Sequence, residues 1–213
     1  MALGSLRGSG CRRQPDRDIA YKSRRVTRSL EGLRRQMVDT FESSELTRDE
    51  VAALLKKKAI DLEEVMLKRL WDGRVNVRRN AGLAILVAET VAPEYRSLLT
   101  VAAKDSDPVV RAYCVETIGK VDIDPATAVP ALFRAAYDAD KVVSAAAVTG
   151  LDALMKRAAG EVGALIVGGL GDNRPFVQVA CFDLVLKHWS AVKDALLEGL
   201  RSPNGIIRKN VRQ

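Results

Sequence analysis

DSDPVVRAYCVETIG, residues 105–119, is the stretch of sequence on which the prediction of the fold rests. Its second part, PVVRAYCVETIG, aligns with four other segments of the chain: VNVRRNAGLAIL (75–86), KVVSAAAVTGLD (141–152), PFVQVACFDLVL (175–186) and GIIRKNVRQ (205–213). The aligned anchor residues are Val77, Val110, Val143, Val177 and Ile207, with spacings of 33, 33, 34 and 30 residues. Self-similarity at such a period is the signature of a repeat architecture.

The columns around the anchors have helical spacing. Four positions after the anchors stand Ala81, Cys114, Ala147, Cys181 and Val211, and eight positions after them stand Ile85, Ile118, Leu151 and Val185. Before the anchors, a second apolar column contains Met66, Leu99, Leu132, Ile166 and Leu196. Because residues at i, i+4 and i+8 share one face of a helix, each repeat is predicted to contain two helices.

A turn column separates the two helices of each repeat. It contains Asp72, Asp105, Asp138, Asp172 and Ser202. Short Asp and Ser side chains accept hydrogen bonds from nearby backbone N–H groups, so they favour a turn and the start of the next helix. Each repeat is therefore predicted to be a helical hairpin. One hairpin cannot bury its apolar face alone, so the hairpins are predicted to stack into an all-α solenoid.

The pattern D-x-D-P-x-V-R, followed by small and aliphatic residues at helical spacing, resembles the HEAT repeat, in particular its short bacterial form found in PBS-lyase-type proteins. The resemblance covers residues 61–213, as four full hairpins and a truncated fifth. It implies a right-handed α-α superhelix and a protein-binding scaffold. It also implies a ladder between the turn Asp and the Arg that follows the anchor, with the members Asp72, Arg78, Asp105, Arg111, Asp138, Asp172 and Arg208. Ser144 and Gln178 occupy two of the Arg positions, so the ladder is expected to be interrupted there.

The positive charge of the chain is concentrated at its N-terminal end. Residues 1–35 contain ten Lys or Arg and three Asp or Glu, a net charge of +7, which equals the net charge of all 213 residues. This predicts a basic arm that would contact nucleic acid through Arg12, Arg13, Arg24, Arg25 and Arg28. An N-terminal organellar targeting segment is an alternative interpretation.

An apolar stripe within the same region predicts an amphipathic helix. Its members are Ile19, Val26, Leu30, Leu33, Met37 and Phe41. Such a stripe either covers the exposed end of the solenoid, as terminal repeats require, or binds an anionic surface. We therefore expect a basic tail over residues 1–18, capping helices over 19–60 and the repeat array over 61–213. The last helix is short, so the C-terminal edge is expected to meet a partner or further repeats.

The sequence contains few candidates for catalytic or metal-binding residues. The only histidine, His188, falls in an apolar column, and the three cysteines, Cys11, Cys114 and Cys181, form no C-x-x-C pair. Free cysteines favour a reducing compartment, so a cytoplasmic location is expected. No apolar run reaches the roughly 18 residues of a membrane-spanning helix. We expect no catalytic residue, no metal and no cofactor.

The remaining candidate site is the surface of the second helices. Offsets 2, 6 and 9 from each anchor are expected to face away from the core and to form a mixed, mildly acidic groove. They are Arg79, Leu83, Leu86, Ala112, Glu116, Gly119, Ala145, Thr149, Asp152, Val179, Asp183 and Leu186. The candidate partner-binding residues among them are Arg79, Glu116, Thr149, Asp152 and Asp183.

The leading functional hypothesis is a non-catalytic scaffold that binds another protein or a peptide segment in this groove. A nucleic-acid-binding protein is the alternative, since WDGRVNVRRN (71–80) has a passing likeness to DNA-alkylation glycosylases with a HEAT-like solenoid. A weaker alternative is a bilin-lyase-like chaperone, because such proteins carry similar short repeats.

Overall fold

The fold is described by a computed structural model of the backbone of residues 16–213 and of the side chains of residues 27, 28 and 30–213. Over this part of the chain the regular elements are all helices, and no β-strand occurs. The prediction of an all-α repeat fold is therefore confirmed.

The structure contains α-helices and two short 3₁₀ segments, Arg69–Trp71 and Pro93–Tyr95. The α-helices are α1 (Asp16–Ser43), α2 (Arg48–Lys56), α3 (Leu62–Leu67), α4 (Val75–Ala88), α5 (Arg96–Ala102), α6 (Pro108–Lys120), α7 (Pro125–Ala135), α8 (Lys141–Gly169), α9 (Pro175–Lys187), α10 (Trp189–Gly199) and α11 (Gly205–Val211).

Helices α3 to α11 form five consecutive hairpins. Their first helices are α3 with its 3₁₀ extension, α5, α7, the second half of α8, and α10. Their second helices are α4, α6, the first half of α8, α9 and α11, which we call the second-helix layer. Within this layer α4 packs against α6, α6 against α8 and α8 against α9. The stacked hairpins thus share one core.

The anchor residues occupy equivalent places in that core. Val77, Val110, Val143 and Val177 are completely buried, whereas Ile207 in the last hairpin is half-buried. Burying a valine or leucine side chain contributes about 1.5–3 kcal/mol, so a column of buried anchors is a major source of stability. The repeat period read from the sequence is therefore the period of the packing.

Every residue of the turn column bonds the backbone two positions further on. Asp105 Oδ1 accepts from the N–H of Asp107 at 2.8 Å, and Asp138 Oδ1 accepts from that of Asp140 at 3.0 Å. The same geometry recurs in the other three turns, where backbone N–H groups donate to the turn side chain: Arg74 to Asp72, Arg174 to Asp172 and Asn204 to Ser202. The turn column therefore forms the side-chain to backbone hydrogen bonds that its Asp and Ser residues predicted.

Helix α8 comprises two of the expected helices, which meet without a loop. It runs through the boundary between the third and fourth hairpins with one kink, at Ala158 (φ −140°, ψ 46°). The boundary sequence, MKRAAGEVG, contains no proline and consists largely of good helix formers, so nothing forces the helix to stop. The chain changes direction at Ala158, where a loop between two helices was expected.

The N-terminal helices attach to the solenoid through a buried asparagine. Asn80 on α4 donates to the carbonyls of Phe41 (2.7 Å) and Ser44 (2.6 Å) and accepts from the N–H of Leu46 (3.0 Å). These bonds hold the end of α1 and the α1–α2 connection against α4. Because Asn80 is only 1% exposed, no water competes for them.

Helix α1 covers the solenoid less than the sequence suggested. Phe41 is fully buried and Met37 is half-buried, but Leu30 and Leu33 are 61% and 54% exposed. Ile19 and Val26 lie outside the residues whose side chains are described. The end of the solenoid is covered instead by α2 and the last turns of α1, which pack on α4.

Candidate interaction surface

Two complete rungs of a charged ladder join neighbouring hairpins. Arg78 Nε donates to Asp105 Oδ2 at 2.9 Å, and Arg111 Nε donates to Asp138 Oδ2 at 2.7 Å. Each guanidinium also donates to a backbone carbonyl of its own turn, that of Asp72 or Asp105. Each arginine therefore links its own turn to the turn of the next hairpin.

The other ladder positions do not form rungs. Asp72 and Asp172 pair within their own turns, with Arg74 and Arg174. Gln178 donates to the carbonyl of Asp172, and Arg208 donates to the carbonyls of Ser202 and Pro203. Ser144 bonds the carbonyl of Lys141. The turn is held in each case, but none of these ladder side chains bonds the turn aspartate of a neighbouring hairpin.

Four of the five candidate groove residues bind neighbours within the chain. Arg79 donates to both carboxylate oxygens of Asp107, at 3.1 and 2.8 Å, and to Glu45 at 2.5 Å. Glu116 pairs with Lys120, and Thr149 donates to the backbone of its own helix. Arg79 thus joins α4 to the start of α6 and to the α1–α2 connection, a role that its spacing did not indicate.

Asp152, the fourth candidate, lies in a cationic cluster. Lys156, Lys187 and the imidazole of His188 each approach its carboxylate to 2.8 Å. Burial acts to raise the pKa of Asp152, but the hydrogen bonds from Lys156, Lys187 and His188 outweigh it and hold that pKa well below its usual range. His188 is therefore part of a polar contact between α8 and α9, whereas the sequence had placed it in an apolar column.

The expectation of an open groove along the whole second-helix layer is wrong for its N-terminal half. Leu83, Leu86, Ala112 and Gly119 are buried. The reason is close packing of the layer: a Cβ atom on Gly119 would clash with the backbone of Gly150 on the next helix. Where backbones approach this closely, side chains at the expected outward offsets are covered by the neighbouring helix.

The layer is more open towards its C-terminal end, including between α8 and α9. A depression of about 200 Å³, which we call the α8–α9 cleft, is lined by Val148, Asp152, Phe176, Val179, Ala180, Asp183, Leu184 and Lys187. Val148, Phe176 and Val179 are 40%, 42% and 57% exposed. The ring of Phe176 is fixed by an edge contact with Tyr137, at 5.8 Å between centroids.

Asp183 is the unpaired charge of this cleft. It is exposed, and it has no hydrogen bond or ion pair with any residue in the described part of the chain. Lys187, one helical turn further on, bonds Asp152 instead. The sequence had placed Asp183 on this face, but only the three-dimensional contacts separate it from the paired carboxylates Glu116 and Asp152.

No group of side chains within the described residues could hold a metal ion, and no helix there has the length and hydropathy to cross a bilayer.

Cys114 and Cys181 are buried, and burial raises the pKa of each thiol to about 12. Both are therefore neutral thiols at physiological pH, poor nucleophiles that serve as packing residues. Cys11, Arg12, Arg13, Arg24 and Arg25 lie outside the described side chains, and Arg28 is exposed.

Comparison with known proteins identifies the repeat. Residues 95–166 match the family model of HEAT repeats, so the resemblance seen in the sequence is confirmed there. No curated protein matches the chain. Among solved structures, an engineered protein is 16% identical and similar over 85% of this chain and 88% of its own, with a TM-score of 0.43. A designed armadillo repeat protein in complex with the peptide (KR)4 is 17% identical over 87% and 91%, with a TM-score of 0.39.

Proposed function

We propose that this chain, which carries HEAT repeats, is a non-catalytic scaffold that binds a segment of another protein at the α8–α9 cleft. Solenoids of this type are typical of protein-interaction scaffolds and present extended binding surfaces. The observation that carries the proposal is the combination, in one cleft, of exposed apolar side chains with a carboxylate that has no partner within the described residues.

The apolar part of the cleft supplies an anchor. Val148 on α8 faces Phe176 and Val179 on α9 across a depression of a size that suits one aliphatic or aromatic side chain. Covering such surface is favourable by roughly 25 cal/mol per Å² of apolar area removed from water. Since Tyr137 holds Phe176 in place, little side-chain freedom would be lost on binding.

The carboxylate supplies specificity. Asp152 is already bound by Lys156, Lys187 and His188, so Asp183 is the charge at this cleft that remains to be satisfied. A Lys or Arg next to the apolar anchor of the partner would form a charge-assisted hydrogen bond with Asp183. The proposed ligand is therefore a segment with one bulky apolar side chain and an adjacent cation.

A display selection of random peptides against the full chain tests this proposal. We expect the selected peptides to contain an apolar residue close to Lys or Arg, and to bind Asp183→Lys at least about tenfold more weakly, because truncating or reversing a paired interface charge costs about 2–5 kcal/mol. Fluorescence anisotropy with labelled peptides measures the affinities.

Asp194→Lys is the matched control. Asp194 is exposed on α10, outside the second-helix layer, and the substitution makes the same change in charge. It is expected to leave the peptide affinity unchanged. Selected peptides that bind Asp183→Lys and the unaltered chain equally would refute the proposed site.

The nucleic-acid alternative receives no support from the repeats. Arg78, Arg79 and Arg111 are each bound to carboxylates of the chain, so they do not form a free basic stripe along the second-helix layer. Since affinity for nucleic acid grows with the number of phosphates neutralised, such binding would depend on the N-terminal arm alone. No feature of the described residues favours the bilin-lyase-like alternative.

A further inference from the structure

We propose that helix α1 binds the surface of an anionic lipid bilayer and lies in the plane of its interface. Among the described side chains of α1, those that contact the solenoid most closely lie towards its C-terminal end and include Met37, Phe41 and Glu42. The preceding segment, residues 30–36, is exposed at every position, as are Thr27 and Arg28. The helix therefore extends from the body of the repeats with most of its described surface available.

The exposed segment has an apolar face. Leu30 and Leu33 stand at i and i+3, so they lie on one side of α1. The same side continues to Met37 and Phe41, which pack on the solenoid. Leu30 is 61% exposed, the largest exposed fraction of any leucine on the described chain, and Leu33 is 54% exposed; Leu186 and Leu197, at 59% and 57%, are as exposed but lie on separate helices of the solenoid. Two exposed leucines on one helix face form an apolar patch whose exposure to water is unfavourable.

The same segment carries cations that are free. Arg28, Arg34 and Arg35 are exposed, and none has a hydrogen bond or ion pair with a residue whose side chain is described. Residues 27–36 contain one acidic residue, Glu31. Asp39 and Glu64 line one depression with Arg34 and Arg35 but form no ion pair with them. The solenoid arginines Arg78 and Arg111 differ, since they are bound to aspartates.

An anionic bilayer is the partner that uses both features. An interfacial helix buries its apolar face at the boundary of headgroups and acyl chains, while its arginines contact lipid phosphates and carboxylates. Nucleic acid would engage the arginines but leave Leu30 and Leu33 in water. A second copy of the chain would cover the leucines but bring two positively charged segments together.

Co-sedimentation of the full chain with vesicles tests the proposal. We expect binding to vesicles of phosphatidylcholine mixed with phosphatidylserine, weakened by salt, and little binding to phosphatidylcholine alone. Leu30→Gln/Leu33→Gln should lower the vesicle affinity at least about tenfold, because the burial of each leucine is lost. Arg34→Gln/Arg35→Gln should lower it about fivefold for each arginine removed.

Leu67→Gln/Leu197→Gln is the matched control. These leucines are 48% and 57% exposed on α3 and α10, so the same apolar surface is removed away from α1. The control should bind vesicles as the unaltered chain does. Circular dichroism and thermal melting establish that all variants remain folded.

Three results would each overturn the proposal: equal binding to neutral and anionic vesicles, vesicle binding that Leu30→Gln/Leu33→Gln leaves intact, or no vesicle binding at all. In the last case, a gel shift with duplex DNA that requires Arg34 and Arg35 would assign the helix to nucleic acid. A sedimentation coefficient that falls in Leu30→Gln/Leu33→Gln would assign it to self-association.

Discussion

Asp138 illustrates how one turn residue stabilises two hairpins. Its carboxylate accepts from Nε and Nη2 of Arg111, both at 2.7 Å, and from the backbone N–H of Asp140 at 3.0 Å. The first contacts join the second and third hairpins, and the last fixes the turn before α8. Hydrogen bonds from Arg111 lower the pKa of Asp138, although its partial burial opposes the shift.

This lowered pKa predicts an acid-dependent loss of stability. The pKa of Asp138 in the folded protein lies below the unfolded value of about 3.9, so the ladder contributes fully above about pH 5 and loses its contribution as the pH falls through the folded pKa. We expect Asp138→Asn to lower the free energy of unfolding by about 2 kcal/mol at neutral pH, since a hydrogen-bonded charge pair is lost.

Urea unfolding at a series of pH values measures this effect. The difference between Asp138→Asn and the unaltered chain should shrink below about pH 4, where Asp138 becomes protonated in the unfolded chain, and disappear below its pKa in the folded protein. Asp194→Asn, on an exposed aspartate outside the ladder, should show no difference at any pH. A difference for Asp138→Asn that does not change with pH would mean that the charge of Asp138 contributes nothing.

At the scale of elements, the contact between α6 and α8 determines the shape of the second-helix layer. Gly119 and Gly150 bring the two backbones together, with Leu132 of α7 packed on the other side of Gly150. Backbone cannot move aside as a flexible side chain can, so this contact tolerates no Cβ atom. It also explains why the groove is closed here and open at α8–α9.

We expect Gly119→Ala to destabilise the fold by about 1–3 kcal/mol, the usual cost of overpacking, despite the better helix propensity of alanine. Gly168→Ala is the control, because a Cβ atom on Gly168 of α8 would meet nothing within 4 Å. That substitution should be neutral or stabilising by up to about 1 kcal/mol. Thermal and urea unfolding distinguish the two, and equal stability of both variants would argue against the close contact.

At the scale of the whole molecule, burial falls off towards both ends of the described chain. Helices α6 and α8 contain many buried residues, whereas α11 contains none and α1 is exposed over residues 30–36. In a repeat protein each hairpin is stabilised by its neighbours, so the terminal units have fewer supporting contacts.

Amide hydrogen exchange followed by mass spectrometry should therefore show a gradient. We expect peptides from α6 and the first half of α8 to exchange slowest, and peptides from residues 27–36 of α1 to exchange fastest, because local opening there breaks few buried contacts. Equal protection of α1 and α6 would contradict this picture. Slower exchange of α1 on addition of anionic vesicles would agree with binding at a bilayer.

The sequence by itself determined the repeat, the hairpins and the turn column, whereas the ladder was implied by the resemblance to HEAT repeats and the structure decided which of its members form rungs. These features depend on residues close in sequence or one repeat apart: an i, i+4 face is a property of one helix, and an aspartate side chain bonds the backbone two positions away. Asp105 and Asp138 could therefore be placed before any coordinates were known.

Only the tertiary structure decided which surfaces remain open. Leu83 and Gly119 are covered, and Asp183 and Leu30 are not, because exposure depends on how closely neighbouring helices approach. That distance is fixed by contacts such as Gly119 with Gly150, which no periodicity within one helix reveals. Asn80 was missed for the same reason, since its partners lie more than 30 residues away on the other side of a packing interface.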